Sequence, residues 1–168
     1  MIEFTYLKQP PKKYTFEMPK LLKWVIQNCQ GKTLNLFAGK IKLPGVNETR
    51  VDLNKDMPAD YYMDAYDFVL MAKKQMMKFD TIIFDPPYNL RKSREKYLGI
   101  YTSKLRKIKA ILPDLLNQNG NIIFFGYDSV GMGKHRGFLL THICLICHGG
   151  DHNDTIIIKE QKIQQKLF

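Results

Sequence analysis

The sequence predicts an α/β fold with a mainly parallel sheet closed by an antiparallel pair of strands. Short β-branched runs alternate along the chain with stretches of helical periodicity. The run Thr81–Phe84 is continuously apolar, as expected of a strand buried on both faces of a parallel sheet. Near the end, Phe138–Cys147 and Thr155–Lys162 are apolar runs joined by a short loop containing Gly and Asp, which predicts a hairpin.

The other elements follow from local patterns in chain order. Helices are predicted over Pro19–Asn28, with Gly31 as a stop, over Asp67–Met77 and over Lys104–Asn117. Strands are predicted over Thr33–Ala38, Arg50–Leu53, Tyr61–Met63, Asp80–Asp85 and, after an Asn119-Gly120 turn, Asn121–Phe125. Only about ten residues separate the first two strands, near the lower limit for a parallel crossover. We therefore expect the helix of this crossover to be shortened or absent.

Composition limits the classes of protein. With 168 residues, 45% of them hydrophobic, the chain has enough material for one domain with a real core, so we expect a single domain over 1–168. A formal net charge of +10 predicts an anionic partner. No apolar stretch approaches the roughly 20 residues that span a bilayer, and Met1-Ile2-Glu3 does not begin a signal peptide. We expect a cytoplasmic protein without a membrane partner.

Three cysteines are too few for a disulfide scaffold and suit a reducing compartment. Cys144, Cys147 and His148 spell C-x-x-C-H, the attachment pattern of c-type haem. Haem attachment requires export, however, and the segment has the pattern of an apolar strand with its two cysteines on opposite faces. We therefore predict neither haem nor a metal site.

Asp85, Pro86, Pro87 and Tyr88 directly follow the buried run and precede Asn89. The prolines cannot continue the ladder, so Asp85 is predicted at the carboxyl end of a central strand, the edge where open α/β sheets bind ligands. The Asp85 carboxylate and the Pro86 carbonyl can accept hydrogen bonds from an exocyclic amine of a nucleobase. The nitrogen lone pair is then free to act as a nucleophile. Tyr88 offers a ring on which an extruded base can stack. The alternative is a strand that ends in a proline-rich turn.

This segment resembles motif IV of the S-adenosylmethionine-dependent amino-methyltransferases, which modify adenine N6, cytosine N4 or guanine N2. With Asn89 it reads D-P-P-Y-N, most similar to the adenine-N6 branch. The resemblance implies a Rossmann-like class I methyltransferase fold, S-adenosylmethionine as cofactor, and Asp85, Pro86, Pro87 and Tyr88 as the catalytic residues. A noncatalytic nucleic-acid-binding module on a degenerate methyltransferase fold is the alternative from another class.

Three further segments resemble motifs of this family in the expected order. Asn35, Phe37, Ala38 and Gly39 resemble motif I, Asp52 the acidic residue after the second strand, and Asp64-Ala65 motif III. The resemblance implies that these residues bind the cofactor's methionine part, ribose hydroxyls and adenine respectively. The chain departs from the usual S-G-T after Gly39, where it has Lys40. Phe16–Pro19 fits either the family's motif X or an ordinary helix entry.

Two basic segments are candidates for contact with nucleic acid. The first, Arg91–Lys109, begins as a loop with weak periodicity beside Tyr88, and its later half also fits a solvated helix face. The second, Gly131–Gly137, is predicted to leave the same sheet edge after Tyr127-Asp128, either as a phosphate-binding loop or as a flexible turn. The predicted nucleic-acid-binding residues are Asn89, Arg91, Lys92, Arg94, Lys134 and Arg136.

The predicted activity is therefore methyl transfer to a nucleobase amine, adenine N6 first, with a guanine-N2 or cytosine-N4 RNA methyltransferase as the alternative. The D-P-P-Y-N motif favours DNA as the substrate. The 168 residues leave no room for a separate target-recognition domain. That favours structured RNA, or specificity supplied by a partner protein or a homodimer.

Overall fold

A computed structural model describes residues 1–87 and 104–163, which form one eight-stranded sheet with helices on both faces. The strands are β1 (Glu3–Lys8), β2 (Lys32–Leu36), β3 (Asn47–Asp52), β4 (Tyr61–Tyr62), β5 (Phe79–Phe84), β6 (Leu116–Gly126), β7 (Phe138–Cys147) and β8 (Thr155–Lys162). The helices are α1 (Pro19–Asn28), α2 (Ala65–Lys74) and α3 (Leu105–Leu115), and Thr15–Glu17 and Lys134–Arg136 form short 3₁₀ turns.

The strands lie in the order β1-β7-β8-β6-β5-β2-β3-β4. Every neighbouring pair is parallel except those made by β8, which runs antiparallel to β6 and β7. This confirms the predicted mainly parallel sheet with a C-terminal antiparallel hairpin. Because β2, β3, β5 and β6 run the same way, their carboxyl ends meet at one edge of the sheet, called here the carboxyl edge.

The central strands are buried on both faces, as the apolar run in β5 predicts. Ile82 and Phe84 belong to the core beneath α2 and α3, whereas Ile83 belongs to the core beneath α1. The alternation of side chains along a strand produces this division. Burial on two faces fixes the register of β5, and with it the position at which the chain leaves the sheet.

The crossover from β2 to β3 contains no helix, since residues 37–46 form only turns and irregular backbone. This confirms the prediction from the short spacing. Leu43 is buried in the α1-side core, and Ile41 and Val46 pack against the same core. The loop thus covers part of the sheet that a crossover helix would otherwise cover.

Three elements differ from the sequence prediction. Strand β1 was not predicted, because its residues alternate between exposed and half-exposed positions along the sheet edge and give no apolar run. Strand β6 begins at Leu116, so Asn119 (φ 63°) and Gly120 lie within it, beside an irregular register with β5. Helix α2 begins at Ala65, earlier than predicted, because Asp64 caps it.

None of the helices in residues 1–87 and 104–163 has the length and apolar composition needed to cross a bilayer.

The entry to β2 is fixed by Asp80 at the start of β5. Its carboxylate accepts hydrogen bonds from Asn117 Nδ2 (2.8 Å) and from the Lys32 backbone N–H (2.8 Å). These bonds, that from Asn117 first, hold the pKa of Asp80 below its usual value. Gly31 (φ +53°) lies directly against this carboxylate, and a Cβ there would overlap Asp80.

We expect Gly31→Ala to lower the free energy of unfolding more than Gly45→Ala, by about 1–3 kcal/mol, the usual cost of overpacking. Both glycines have positive φ, so both substitutions carry the same backbone cost of about 1–2 kcal/mol. A Cβ on Gly45 meets no atom within 4 Å, which makes it the matched control. Urea unfolding measures the difference, and equal losses would show that the Asp80 contact does not constrain this turn.

Candidate active site

The candidate site lies where β2 and β5 end side by side at the carboxyl edge. Leu36 pairs with Phe84 in the parallel register, so the segments that follow these two residues leave the sheet together. Phe37–Gly39, called here the F-A-G turn, follows β2, and Asp85 follows β5. Two motifs that are far apart in the sequence are thereby neighbours.

A cleft joins the F-A-G turn to Asp85. This first cleft is lined by Tyr14, Thr15, Phe16, Phe37, Ala38, Gly39, Lys40, Ile41, Asn54, Met57 and Asp85. Phe16 is buried and packs edge-on against Phe125, with 5.9 Å between ring centroids. The segment before α1 therefore contributes to the cleft together with the F-A-G turn.

The F-A-G turn has an unusual backbone. Phe37 has φ of +61°, which is strained for a bulky side chain, and Gly39 has φ of +62°. The Phe37 ring packs edge-on against Phe84 at 5.6 Å, and the Ala38 N–H donates to Val51 O (2.9 Å). No atom lies within 4 Å of where a Gly39 Cβ would be, so a ligand can approach the backbone at this point.

Arg50 on β3 holds this turn through hydrogen bonds to its carbonyl groups. Its role was not predicted from the sequence. Its guanidinium is buried and donates from Nε to Pro58 O (2.6 Å) and from Nη1 to Glu48 Oε1 (2.7 Å). The other N–H groups donate to the carbonyls of Ile41 (2.9 Å), Ala38 (3.2 Å) and Gly39 (2.7 Å). All five donors are thus satisfied. The sequence feature that could have indicated this role is the pair Glu48 and Arg50, which lie two positions apart on one face of a strand.

Asp52 lies at the end of β3, directly behind the F-A-G turn. Its carboxylate accepts from the Gly39 N–H (2.8 Å) and from the Asn54 N–H (2.8 Å), and the residue is only 3% exposed. It is absent from the residues that line the first cleft. Asp52 therefore holds the F-A-G turn, and its contact with the cofactor's ribose stays a prediction.

The other predicted cofactor-binding residues also lie off the walls of the first cleft. Asn35 is buried and donates from Nδ2 to Glu48 Oε2 (3.0 Å). Asp64 caps α2 by accepting from the Tyr66 N–H (2.8 Å), and Ala65 is buried in the core. Of the predicted set, the structure brings Phe37, Ala38 and Gly39 together with Asp85. A contact of Asp64-Ala65 with adenine stays a prediction.

A second cleft includes Pro86 and Pro87, the two residues that directly follow Asp85. It is lined by Phe84, Pro86, Pro87, Leu105, Arg106, Lys109, Phe124, Phe125, Gly126, Tyr127, Asp128 and Val130. Lys109 Nζ lies 4.9 Å from the centroid of the Phe124 ring, and burial lowers the pKa of this lysine. Apolar rings and basic side chains thus share this cleft.

Tyr88, Asn89, Arg91, Lys92 and Arg94 lie outside the described residues, so their predicted roles stay predictions.

The loop Gly131–Gly137 follows the carboxyl end of β6, as predicted, and then runs toward the other edge of the sheet. The N–H groups of Met132 and Gly133 donate to the carboxylate of Glu160 on β8, which carries the loop down the sheet. Phe138 then pairs with Lys162, near the edge where β6 begins. Lys134 and Arg136 directly precede Phe138, so they lie toward the opposite edge from Asp85. Contact of Lys134 and Arg136 with phosphate stays a prediction.

The C-x-x-C-H segment is part of the sheet. Cys144 is buried in the α1-side core, and burial raises its pKa to about 12. His148 Nδ1 lies 2.8 Å from Gln9 O, and Nε2 lies 2.8 Å from Thr155 Oγ1, so the ring connects the ends of β1, β7 and β8. Within residues 1–87 and 104–163, no cluster of three or more His, Cys, Asp or Glu side chains could hold a metal ion.

No protein-family model and no curated protein matches this sequence. Its fold is similar to that of solved methyltransferases. TrmN from Thermus thermophilus matches 87% of this chain and 49% of its own, with TM-score 0.55 and 17% identity. A SAM-dependent methyltransferase from Agrobacterium tumefaciens matches 86% of this chain and 60% of its own, with TM-score 0.58 and 15% identity.

A third match is the N-methyltransferase NodS from Bradyrhizobium japonicum, solved with S-adenosyl-L-homocysteine, with TM-score 0.55 and 10% identity over 86% of this chain and 85% of NodS. The chain spans about half the length of several matched structures, TrmN among them. At these identities the likeness shows the fold, which is the Rossmann-like methyltransferase fold expected from the sequence.

We expect Asp52→Asn to lower the free energy of unfolding without any ligand, by about 1–3 kcal/mol. The amide keeps the shape of the carboxylate but turns an acceptor into a donor facing Gly39 N–H or Asn54 N–H. Asp56→Asn, at an exposed position in the same loop, is the control and should be nearly neutral. If urea unfolding of Asp52→Asn is unchanged and only cofactor affinity falls, Asp52 binds the ribose, as predicted from the sequence, and does not stabilise the turn.

Proposed function

We propose that this protein is an S-adenosylmethionine-dependent methyltransferase that modifies an exocyclic amine of a nucleobase, with adenine N6 as the preferred target. The observation that carries the proposal is the first cleft, in which the F-A-G turn and Asp85 line one space. A methyl donor and an acceptor amine must meet at such a point. The methyltransferase fold supports the same reaction class.

The residues of the first cleft fit this cofactor. Gly39 leaves its backbone accessible, and Phe16, Phe37 and Met57 provide apolar surface for a nucleoside. Asn54 and Thr15 provide polar groups at the same wall. When bound, S-adenosylmethionine supplies an electrophilic methyl group on a positively charged sulfur. The residues that would hold it are therefore those of the F-A-G turn together with Phe16 and Asn54.

Asp85 and Pro86 are the residues that would prepare the acceptor. Asp85 lines the first cleft, and the rigid Pro86-Pro87 segment that follows it lines the second. The Asp85 carboxylate and the Pro86 carbonyl accept the hydrogens of the amine, which leaves the nitrogen lone pair free to form the new N–C bond. The alkylated nitrogen is acidic and loses its proton to water, so Asp85 serves mainly to orient the amine.

The second cleft is suited to a nucleobase. Tyr127 and Phe124 offer aromatic surface, and Pro87 closes one side. Stacking of a base on such a ring contributes roughly 1–3 kcal/mol. Arg106 and Lys109 at the same cleft, within a chain of net charge +10, suit the phosphates of DNA or structured RNA. Tyr88, as the stacking residue of D-P-P-Y, is part of this proposal, and adenine is preferred on the resemblance of D-P-P-Y-N.

We expect Asp85→Ala to reduce methyl transfer at least about 100-fold, as for loss of one oriented polar group in an active site. Cofactor binding should persist, because the F-A-G turn is unchanged. Mass spectrometry of nucleosides from DNA and RNA, incubated with enzyme and labelled cofactor, gives the turnover and the modified base. Thermal shift with S-adenosylhomocysteine reports binding. Undiminished turnover in Asp85→Ala would refute the proposed role.

We expect Lys109→Ala to weaken binding of a fluorescent single-stranded oligonucleotide and to reduce the slope of log affinity against log salt by roughly 0.7–0.9. Lys107→Ala is the matched control, since Lys107 lies on the same helix but faces Tyr66, with Nζ 6.0 Å from that ring. The control should keep the parental slope. Equal slopes in both variants would show that the second cleft does not contact phosphate.

A further inference from the structure

A third cleft lies beside the second, at the turn that joins β7 to β8. Tyr127 lines both the second and the third cleft, so this residue borders both spaces. Leu145 of β7, Ile156 of β8 and the turn residues Asn153 and Asp154 also line the third cleft. The proposed reaction assigns no ligand to this space.

The second and third clefts lie side by side on one face of the sheet. Gly126, which lines the second cleft, pairs with Ile156, and Ile156 pairs with Leu145. Residues paired across neighbouring strands have their side chains on the same face. This is the face of α3, because Ile156 packs against the core that contains Phe124, two residues before Gly126. The row of residues from β6 through β8 to β7 therefore connects the floors of the two clefts.

The lining of the third cleft matches the chemistry of a nucleobase, which has apolar faces and a polar edge. Ile156 and Leu145 are half-buried and provide apolar surface, and Tyr127 adds an aromatic ring. Asn153 and Asp154 provide hydrogen-bonding groups at the same cleft. Apolar surface with a few polar groups is the usual composition of a site that orients a flat, polar-edged ligand.

The charge of Asp154 determines which groups suit the third cleft. Its Oδ1 accepts a hydrogen bond from the His148 N–H (3.1 Å), which holds the side chain at the end of the turn. An ionised carboxylate only accepts hydrogen bonds, so it matches an exocyclic amine and not a carbonyl. Among the described residues, no lysine or arginine lines the third cleft, whereas Arg106 and Lys109 line the second. The third cleft therefore suits a base better than a phosphate.

We propose that the third cleft binds the unpaired base of a nucleotide adjacent to the target, and that Asp154 favours a base with an exocyclic amine over thymine or uracil. This inference rests on the proposed function and adds sequence context to it. The target base occupies the second cleft, and its neighbour passes Tyr127 into the third. The catalytic domain itself then contributes to the choice of sequence.

The test uses single-stranded oligonucleotides with one copy of the base that nucleoside mass spectrometry identifies as methylated. On one side or the other of this base they carry either thymine (uracil in RNA) or an amine-bearing base other than the target. The wild-type kcat/KM should be about tenfold higher for the amine-bearing neighbour on one of the two sides, the effect of one hydrogen bond to a charged acceptor. Asp154→Asn should reduce this ratio to about twofold or less, because the amide keeps an oxygen for His148 N–H but also donates to the carbonyl of thymine. Methylation beside thymine should not fall in this variant.

Asp151→Asn is the matched control, since Asp151 is exposed on the same turn and does not line the third cleft. It should keep the wild-type ratio. An equal or reversed wild-type ratio on both sides, or an unchanged ratio in Asp154→Asn, would overturn this inference and leave the proposed function standing. If the wild-type protein methylates no nucleobase in DNA or RNA, the proposed function is wrong and this inference falls with it.

Discussion

The buried guanidinium of Arg50 is the interaction on which the carboxyl edge of this sheet depends. A buried charge is costly unless it is paired and fully hydrogen-bonded. Here Glu48 supplies the opposite charge at 2.7 Å, with both side chains nearly inaccessible, and four backbone carbonyls take the remaining N–H groups. Glu48 is itself held by Leu43 N–H and Asn35 Nδ2. A buried polar network therefore stabilises this crossover, whereas packed helices stabilise other crossovers of the sheet.

This network explains how the F-A-G turn keeps a strained backbone. A bulky residue at positive φ persists only where surrounding contacts over-determine it. Arg50 donates hydrogen bonds to the Ala38 and Gly39 carbonyls, and the Asp52 carboxylate accepts one from the Gly39 N–H. The Phe37 ring packs against Phe84. The turn is thus held by its own protein contacts before any ligand is added. A ligand that binds to a preorganised turn loses less free energy to ordering the protein.

The fold and the position of Asp85 could be predicted from the sequence because they depend on local signals. A continuous apolar run ended by two prolines specifies a buried strand and the place where it stops. Strand β1 gave no such signal, since its outer residues are exposed and its inner neighbour β7 lies far along the chain. A strand at the edge of a sheet is less buried than a central strand, so its apolar sequence pattern is weaker.

Side-chain roles were harder to predict than positions. Asp52 does end β3 as predicted, yet its carboxylate is directed to N–H groups of neighbouring loops. Which donors an acidic residue meets depends on loops that fold over it, and a sequence contains that information only indirectly. Arg50 shows the same effect, since its five acceptors come from residues 38–58, spread over two loops and a strand. The path of the loop Gly131–Gly137 shows it on a larger scale, because Glu160 of β8 accepts hydrogen bonds from its Met132 and Gly133 N–H groups.

The carboxylate of Asp85 in the first cleft has an electrostatic consequence for the proposed reaction. An amine that gains a methyl group becomes positively charged, and a carboxylate about 4 Å away stabilises that charge by about 4 kcal/mol at an effective dielectric constant of about 20. Among the described residues that line the clefts, the basic ones are Lys40 in the first cleft and Arg106 and Lys109 of α3 in the second. The clefts therefore offer cations for the anionic groups of substrate and cofactor, and the Asp85 carboxylate for the positive charge that develops on the amine.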